Sequence, residues 1–241
     1  MMFPSSMAFA EPLALWRDYL KQSSQPWSSY VLRDGTKLHL SDNPHDVITV
    51  MVNFCKRDYG LIEPGSVVVD IGANIGMFTM FAVRCGANAV YSYEPNRIAF
   101  DVMKKNVVEN GLTGIVKPYQ LAVAGGDAKV VYLPEVSSPY NRMSATSDGE
   151  TNLVPVSATS LGEIFEENHL ASVDYLKLDC EGAEYSILLQ CSDDVLRRVR
   201  RIRMELHSSK EFSRHSVLER CLQAGFEVTY TRDLIYWLER R

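Results

Sequence analysis

The 241-residue chain is short of the features that would place it in several large classes. Its five cysteines, Cys55, Cys85, Cys180, Cys191 and Cys221, are odd in number, scattered and never spaced C-x-x-C. Neither a disulfide framework nor a zinc site is therefore expected. No apolar run reaches about 18 residues, and no basic stretch leads into an apolar core near the start, where Glu11 and Arg17 interrupt. These absences predict no membrane span and a reduced, cytoplasmic setting. Basic residues number 25 against 30 acidic ones, a net charge of −5, with no basic block. That balance argues against a nucleic-acid backbone as principal partner. No internal repeat is present either.

What is there centres on Val67-Val68-Val69-Asp70-Ile71-Gly72-Ala73-Asn74-Ile75-Gly76. The β-branched run reads as a strand buried on both faces, the glycines as a tight turn, and Met77–Val83 as a helix packed on a sheet. Gly72 and Gly76 allow the backbone to approach a ligand at a helix N-terminus. Ala89–Tyr93 reads as a second strand ending at Glu94, 24 positions after Asp70, where an acidic side chain can accept from both hydroxyls of a ribose. A dinucleotide fingerprint would need glycine at 72, 74 and 77, but Asn74 and Met77 occupy two of these positions. The D-x-G-x-N-x-G loop that remains is of the kind that holds S-adenosylmethionine.

At this length, with 46% apolar residues, the chain can form one large α/β domain or two small ones. Residues 1–63 form a preface: a frayed start, a short helix from Leu13 to Leu20, a hairpin turned at Asp34-Gly35, and a cap at Asn43-Pro44-His45-Asp46 that opens a helix through about Cys55. In this last helix Val47, Val50, Met51 and Phe54 share one face. The preface is too short for a core of its own and is expected to serve as a lid or accessory layer. Residues 64–241 form the main domain, a doubly wound, Rossmann-like and mostly parallel sheet. Its strands are expected near 67–71, 89–93, 115–120, 129–133, 153–158, 173–178 and 202–207. A C-terminal antiparallel hairpin (226–230 with 235–238) is expected to supply an antiparallel edge strand. Residues 134–150 carry no periodic apolar pattern and read as a loop insertion bordering the site. Asp70, Glu94, Asp179 and His207 all fall at or just after strand ends, so they can meet in one crevice.

These segments resemble the FkbM family of S-adenosylmethionine-dependent methyltransferases. The resemblance rests on Val69–Gly76, Tyr93-Glu94-Pro95-Asn96, Val173–Glu184 with its Asp179-Cys180-Glu181-Gly182-Ala183-Glu184 element, Glu205-Leu206-His207 and Gly225-Phe226. It spans about 64–230, with a looser echo around Tyr59. It implies a class I methyltransferase sheet, S-adenosylmethionine as cofactor, S-adenosylhomocysteine as product, and transfer to a hydroxyl of a sugar, glycan or secondary metabolite. Gly72, Ala73, Asn74 and Gly76 would then bend around the methionine end, steadied by Asp70. Glu94, with Pro95 and Asn96, would take the ribose, and Leu121 and Ala122 would lie against the adenine. Asp179 would face both cofactor and acceptor. Asp179 and Glu181 are candidates to hold the acceptor hydroxyl or take its proton, or simply to cap the helix near Gly182. His207, with an ordinary pKa near 6.5, is the preferred general base. No catechol-type metal site is expected, because no second Asp-Asn pair accompanies Asp179. A nucleic-acid or protein methyltransferase and a non-catalytic cofactor-binding protein stay open as alternatives, though no Asn/Asp-Pro-Pro-aromatic tetrapeptide for base methylation occurs. The acceptor and the oligomeric state are not legible.

Overall fold

A computed structural model describes residues 4–21, 28–134, 153–209 and 211–241. The preface opens with a 3-10 turn at Pro4–Ala8 and helix α1 (Pro12–Lys21). The hairpin of β1 (Ser29–Val31) and β2 (Lys37–His39) follows. Helix α2 (Asp46–Val50) then runs straight into a turn of π-helix at Met51–Lys56, ended by Arg57 in the left-handed conformation. The expected apolar face is in place: Val47, Val50, Met51 and Phe54 are buried. They share a cluster with Leu15, Leu32 and Leu38 of the preface and with Ile75, Met77, Met80 and Phe81 beyond it. The preface thus shares its core with the next layer, which holds it over the loop that follows the first main strand. The expected cap acts ahead of the helix: Asn43 accepts from the His45 N–H, and α2 itself starts without a side-chain cap.

The main part runs β3 (Val67–Ile71), α3 (Met77–Arg84), β4 (Ala89–Tyr93), α4 (Arg97–Glu109), β5 (Val116–Tyr119) and β6 (Ala122–Val123). It continues with β7 (Val130–Pro134), β8 (Leu153–Thr159), α5 (Leu161–Glu167), β9 (Val173–Leu178), α6 (Glu184–Gln190) and α7 (Asp193–Arg197). It closes with β10 (Val199–Glu205), α8 (Arg214–Gln223), β11 (Phe226–Arg232) and β12 (Ile235–Arg240). Seven strands form one sheet in the order β11-β12-β10-β9-β3-β4-β5. Neighbours are parallel from β10 through β5, and β12 is antiparallel to both of its neighbours. This is the doubly wound architecture expected, with one correction. The antiparallel strand lies one place in from the edge, and β11 forms the edge. The reason is polarity: β12 buries Ile235 and Leu238, whereas β11 carries Glu227, Thr229, Thr231 and Arg232 toward solvent. An edge strand with charged and hydroxylated side chains resists unwanted pairing.

Three further details were not legible in the sequence. Strands β6, β8 and β7 form a separate small sheet. Helix α7, five residues capped by Ser192, is too short to show a period. Strand β10 starts three residues before the expected 202 and stops at Glu205, leaving His207 just beyond it. A capping box between Ser160 and Glu163 starts α5. Beyond Pro134, the expected loop 134–150 lies outside the described residues. Among the described residues no helix is long and apolar enough to cross a membrane.

The central strands bury their side chains almost completely: Val68, Val69, Leu176 and Leu178 have no exposed surface. At roughly 1.5–3 kcal/mol for each fully buried aliphatic side chain, these strands anchor the fold. The parallel strands β3 and β9 are neighbours at the point where strand order changes side, the chain adding β4 and β5 on one side of β3 and β9 and β10 on the other. The crevice at their C-terminal ends is where a doubly wound sheet binds ligands.

Candidate functional site

The glycine loop is built by backbone geometry. Gly72, Asn74 and Gly76 all have positive φ, at +73°, +51° and +83°. Asn is among the few residues with a side chain that adopt this region readily. The N–H groups of Gly72 and Ala73 both donate to the Tyr93 carbonyl, which ties the loop to the end of β4. A Cβ on Gly72 would lie 1.8 Å from the Asp179 carbonyl oxygen, so this position admits only glycine. Asp70 lies fully buried behind the loop. The Thr79 hydroxyl donates to its Oδ2 at 2.7 Å, and Lys177 Nζ stands 3.3 Å from its Oδ1. Helix α3 starts at Gly76 with no side-chain cap.

Across the loop, Glu94 is held by the chain itself. Its two oxygens accept from the N–H groups of Asn74 (2.7 Å) and Asn96 (2.8 Å). Burial, only partly offset by these bonds, lifts its pKa to about 7. Each oxygen keeps a further lone pair for a ligand donor. The Asn96 side chain caps α4 by accepting from the Ala99 N–H.

The other half of the site is built from side chains on β9, β10 and the loop after β9. In that loop Glu181 (φ +56°) and Gly182 (φ +108°) turn the backbone. Glu184 folds it down by accepting from the Cys180 and Gly182 N–H groups at 2.7 and 2.8 Å. Helix α6 starts just after Ala183, and among the described residues neither the Asp179 nor the Glu181 side chain accepts a hydrogen bond from its first turn. Their carboxyls face His207 instead: its Nε2 lies 4.0 Å from Asp179 Oδ1, 3.7 Å from Glu181 Oε1 and 3.7 Å from Glu205 Oε1. Its Nδ1 meets Glu184 Oε1 at 3.2 Å. Tyr59, at the end of the preface, donates its hydroxyl to Asp179 Oδ2 at 2.7 Å and reaches Glu205 Oε2 at 3.4 Å.

This crowding of acidic groups resets the titration. Burial pulls His207 down, but the Glu184 hydrogen bond and the neighbouring carboxyls outweigh it and raise its pKa to about 9. That lies above the ordinary imidazole value near 6.5. Burial lifts Glu181 to about 7 against the pull of His207. Glu205 is raised by burial and by Asp179, and burial together with Asp179 and Glu205 holds the Tyr59 hydroxyl far above its usual value. Lys177 joins the two halves. It bonds the Gly72 carbonyl at 2.7 Å and stands 3.6 Å from Asp179 Oδ2. Burial works against its charge, yet Asp70 and Asp179 keep its pKa above the ordinary lysine value.

Both halves open onto one cavity of about 470 Å³, within the range of small-molecule sites. Of the residues singled out in the sequence, Gly72, Asn74, Glu94, Pro95, Asn96, Asp179, Glu181 and His207 line it. Asp70, Ala73, Gly76, Leu121 and Ala122 are not among the lining residues; Val123 and Leu133 are. Ala122 is buried in the small sheet, and Leu121 packs against the main core. The preface contributes a wall that includes Thr49, Val52 and Asn53, and the turn between β11 and β12 contributes Arg232 to Ile235. Asn53 is buried; its amide nitrogen donates to the Thr49 carbonyl, and its Oδ1 finds no donor among the described residues.

Sequence reasoning did not single out Tyr59, Lys177, Glu184, Glu205, Asn53 or the hairpin turn. Four of these left a trace: Tyr59, Lys177, Glu184 and Glu205 all lie in the segments that carry the family resemblance. The others meet the site only through packing.

Comparison with known proteins identifies the family. The family model described as the methyltransferase FkbM domain matches residues 70–241. The "31-O-demethyl-FK506 methyltransferase FkbM" of Streptomyces tacrolimicus is 23% identical over 187 residues, covering 66% of this chain and 72% of that protein. "Methyltransferase sdnD" of Sordaria araneosa is 26% identical over 201 residues, covering 70% and 76%. A solved rRNA methylase from Streptococcus thermophilus aligns with a TM-score of 0.47 at 12% identity, over 76% of this chain and 91% of that one.

Proposed function

Because this chain belongs to the FkbM methyltransferase family and uses S-adenosylmethionine as methyl donor, we propose that it methylates a hydroxyl of a small molecule: a sugar, glycan or secondary metabolite. The observation that carries this reading is the junction of two unlike half-sites in one cavity. One is a backbone loop facing Glu94; the other is a cluster of Asp179, Glu181, Glu205 and His207. The S. tacrolimicus relative, named for a 31-O-demethyl substrate, supports oxygen as the accepting atom.

The residues present suit the cofactor. Gly72 leaves the loop free of a Cβ, and Glu94 is aimed by two backbone N–H groups with lone pairs to spare for ribose hydroxyls. Gly72, Asn74, Glu94, Pro95 and Asn96 would hold it; the small-sheet residues Val123 and Leu133 lie on the same cavity. When bound, it supplies an electrophilic methyl carried on a sulfonium. The chain's part is positional and electrostatic. Asp179, braced by Tyr59 and Lys177, places negative charge beside the glycine loop. His207 and Glu181 hold the acceptor hydroxyl and move its proton into the carboxyl network. The preface serves as a lid over the acceptor end. Orientation of this kind is worth effective molarities of about 10⁵–10⁸ M, against about 10²–10⁴-fold for proton transfer. An acidic acceptor pocket on a chain of net charge −5 suits a neutral hydroxylated molecule better than a polyanion.

The test is release of S-adenosylhomocysteine on incubation with S-adenosylmethionine and a panel of hydroxylated small molecules, amines and structured RNA. Turnover with a hydroxylated compound, and an O-methyl product by mass spectrometry, is the expected result. Transfer confined to RNA or to amines would overturn the reading.

A further inference from the structure

We infer that Asp179, Glu205 and His207 form a binding site for one divalent cation at the acceptor end of the cavity. Spacing is the first argument. Among the described residues no oxygen lies within hydrogen-bond distance of His207 Nε2, although three carboxyl oxygens surround it at 3.7, 3.7 and 4.0 Å. Two ligand atoms, each about 2.1 Å from a shared ion, stand about 3.0 Å apart at right angles and about 4.2 Å apart when opposed. The donors therefore face one another across a gap of ionic width. The ligand atoms of Asp179, Glu205 and His207 all lie within 4.8 Å of one another, a span that small side-chain rotations bring to a closed shell.

The second argument is what stands behind the donors. A metal-binding histidine commonly gives its other ring nitrogen to a carboxylate, which sets ring orientation and tautomer. Here His207 Nδ1 meets Glu184 Oε1 at 3.2 Å, and Glu184 is itself pinned by two backbone N–H groups. The two carboxyls are divided in the same way. Tyr59 holds Asp179 Oδ2 and reaches Glu205 Oε2, and Lys177 also stands on the Oδ2 side of Asp179. The oxygens that approach His207 Nε2 are the opposite ones, Oδ1 and Oε1. Glu181 Oε1, 3.7 Å from Nε2, is a fourth donor.

Imidazole with two or three carboxyl oxygens is a donor set for Mn²⁺ or a similar divalent ion. In the role that rests on the proposed O-methylation, the ion would take the acceptor oxygen at an open position and favour its deprotonated form. The metal-binding claim does not depend on that role.

Mn²⁺ alone is the probe. Chelator-treated protein titrated with MnCl₂ and followed by electron paramagnetic resonance should remove one equivalent of the free six-line signal. Glu205→Gln and His207→Gln should each abolish that binding, and Tyr59→Phe, which leaves every ligand in place, should weaken it by about 10–100-fold. Calorimetry with S-adenosylhomocysteine on the same samples checks that each variant is folded. No Mn²⁺ uptake by the wild-type protein, or uptake unchanged in folded Glu205→Gln and His207→Gln, overturns the inference. Hydroxyl methylation that continues undiminished in excess EDTA would overturn the ion's catalytic role while leaving the O-methylation reading intact.

Discussion

The two halves of the cavity solve the same problem, aiming polar atoms at a ligand, with different materials. The cofactor half is backbone: three positive-φ residues, two N–H groups on one carbonyl, and a glutamate fastened by two more N–H groups. The acceptor half is side chains: four carboxyls, one imidazole, one phenol and one buried ammonium drawn from distant parts of the chain. Backbone atoms cannot be swapped for others, so the first half should fail abruptly when its geometry is disturbed. Side chains can be removed one at a time, so the second half should lose function in steps.

The largest effect is expected from Gly72→Ala. It combines left-handed strain with a Cβ 1.8 Å from a backbone oxygen. Strain and overpacking together cost about 2–6 kcal/mol, and this contact belongs at the upper end. Denaturant melting should show that loss, and S-adenosylhomocysteine binding should vanish. A variant that still binds would break the contrast between the halves.

Lys177→Met tests the bridge between them. It leaves Asp70 buried without its ammonium, a change that costs about 3–5 kcal/mol when one partner of a buried pair is removed. Adding Asp70→Asn should recover part of this, which a double-mutant cycle would measure. Complete additivity would mean that the two residues are not coupled.

His207→Ala belongs to the stepwise half. Turnover should fall by roughly 10²-fold, about 2.7 kcal/mol, while cofactor affinity stays unchanged. Steady-state kinetics beside calorimetry separates the two. Near-normal turnover would return His207 to a structural role.

Glu94 adds a pH signature. Its folded pKa of about 7 lies above the ordinary value, so its contribution to the empty fold is fully present below about pH 4.5 and lost as pH rises through 7. Cofactor hydroxyls favour the ionised form. Affinity should therefore strengthen with pH up to about 7 and level off above it, with about tenfold weaker binding at pH 6 than on the plateau. Glu94→Gln should cost about 2 kcal/mol of affinity and flatten this profile. Calorimetry between pH 6 and 8 reads both effects, and a flat wild-type profile would remove Glu94 from the ribose site.

The smallest effect is expected from Asn53→Ala on the preface wall, where Oδ1 lacks a donor. Loss of one ligand hydrogen bond, about 1 kcal/mol, should raise acceptor KM about fivefold with kcat and cofactor affinity little changed. A change in cofactor affinity instead would move Asn53 to the other half of the comparison.

Periodicity and turn chemistry, both local properties, made much of this molecule legible in advance. The β-branched run ending in Asp70, the glycine and asparagine that accept positive φ, and the acidic residue closing the next strand are all written within the 28 positions from Val67 to Glu94. Local backbone sterics determine their conformation wherever they occur. The Asp179–Glu184 element was legible as a site for the same reason, although the sequence could not say whether its acids cap a helix or face a ligand. Tertiary structure brought His207 to both of them. It alone also brought Tyr59 to Asp179 across 120 positions and Lys177 to the Gly72 carbonyl across 105. It placed β12 between β10 and β11 and turned the tip of that hairpin into a cavity wall. Contacts of that range follow from burial and sheet order, which depend on the whole chain at once. The raised pKa of His207 is of the same kind, because Glu184, Asp179 and Glu181, from an element more than 20 positions away in the chain, act on it together.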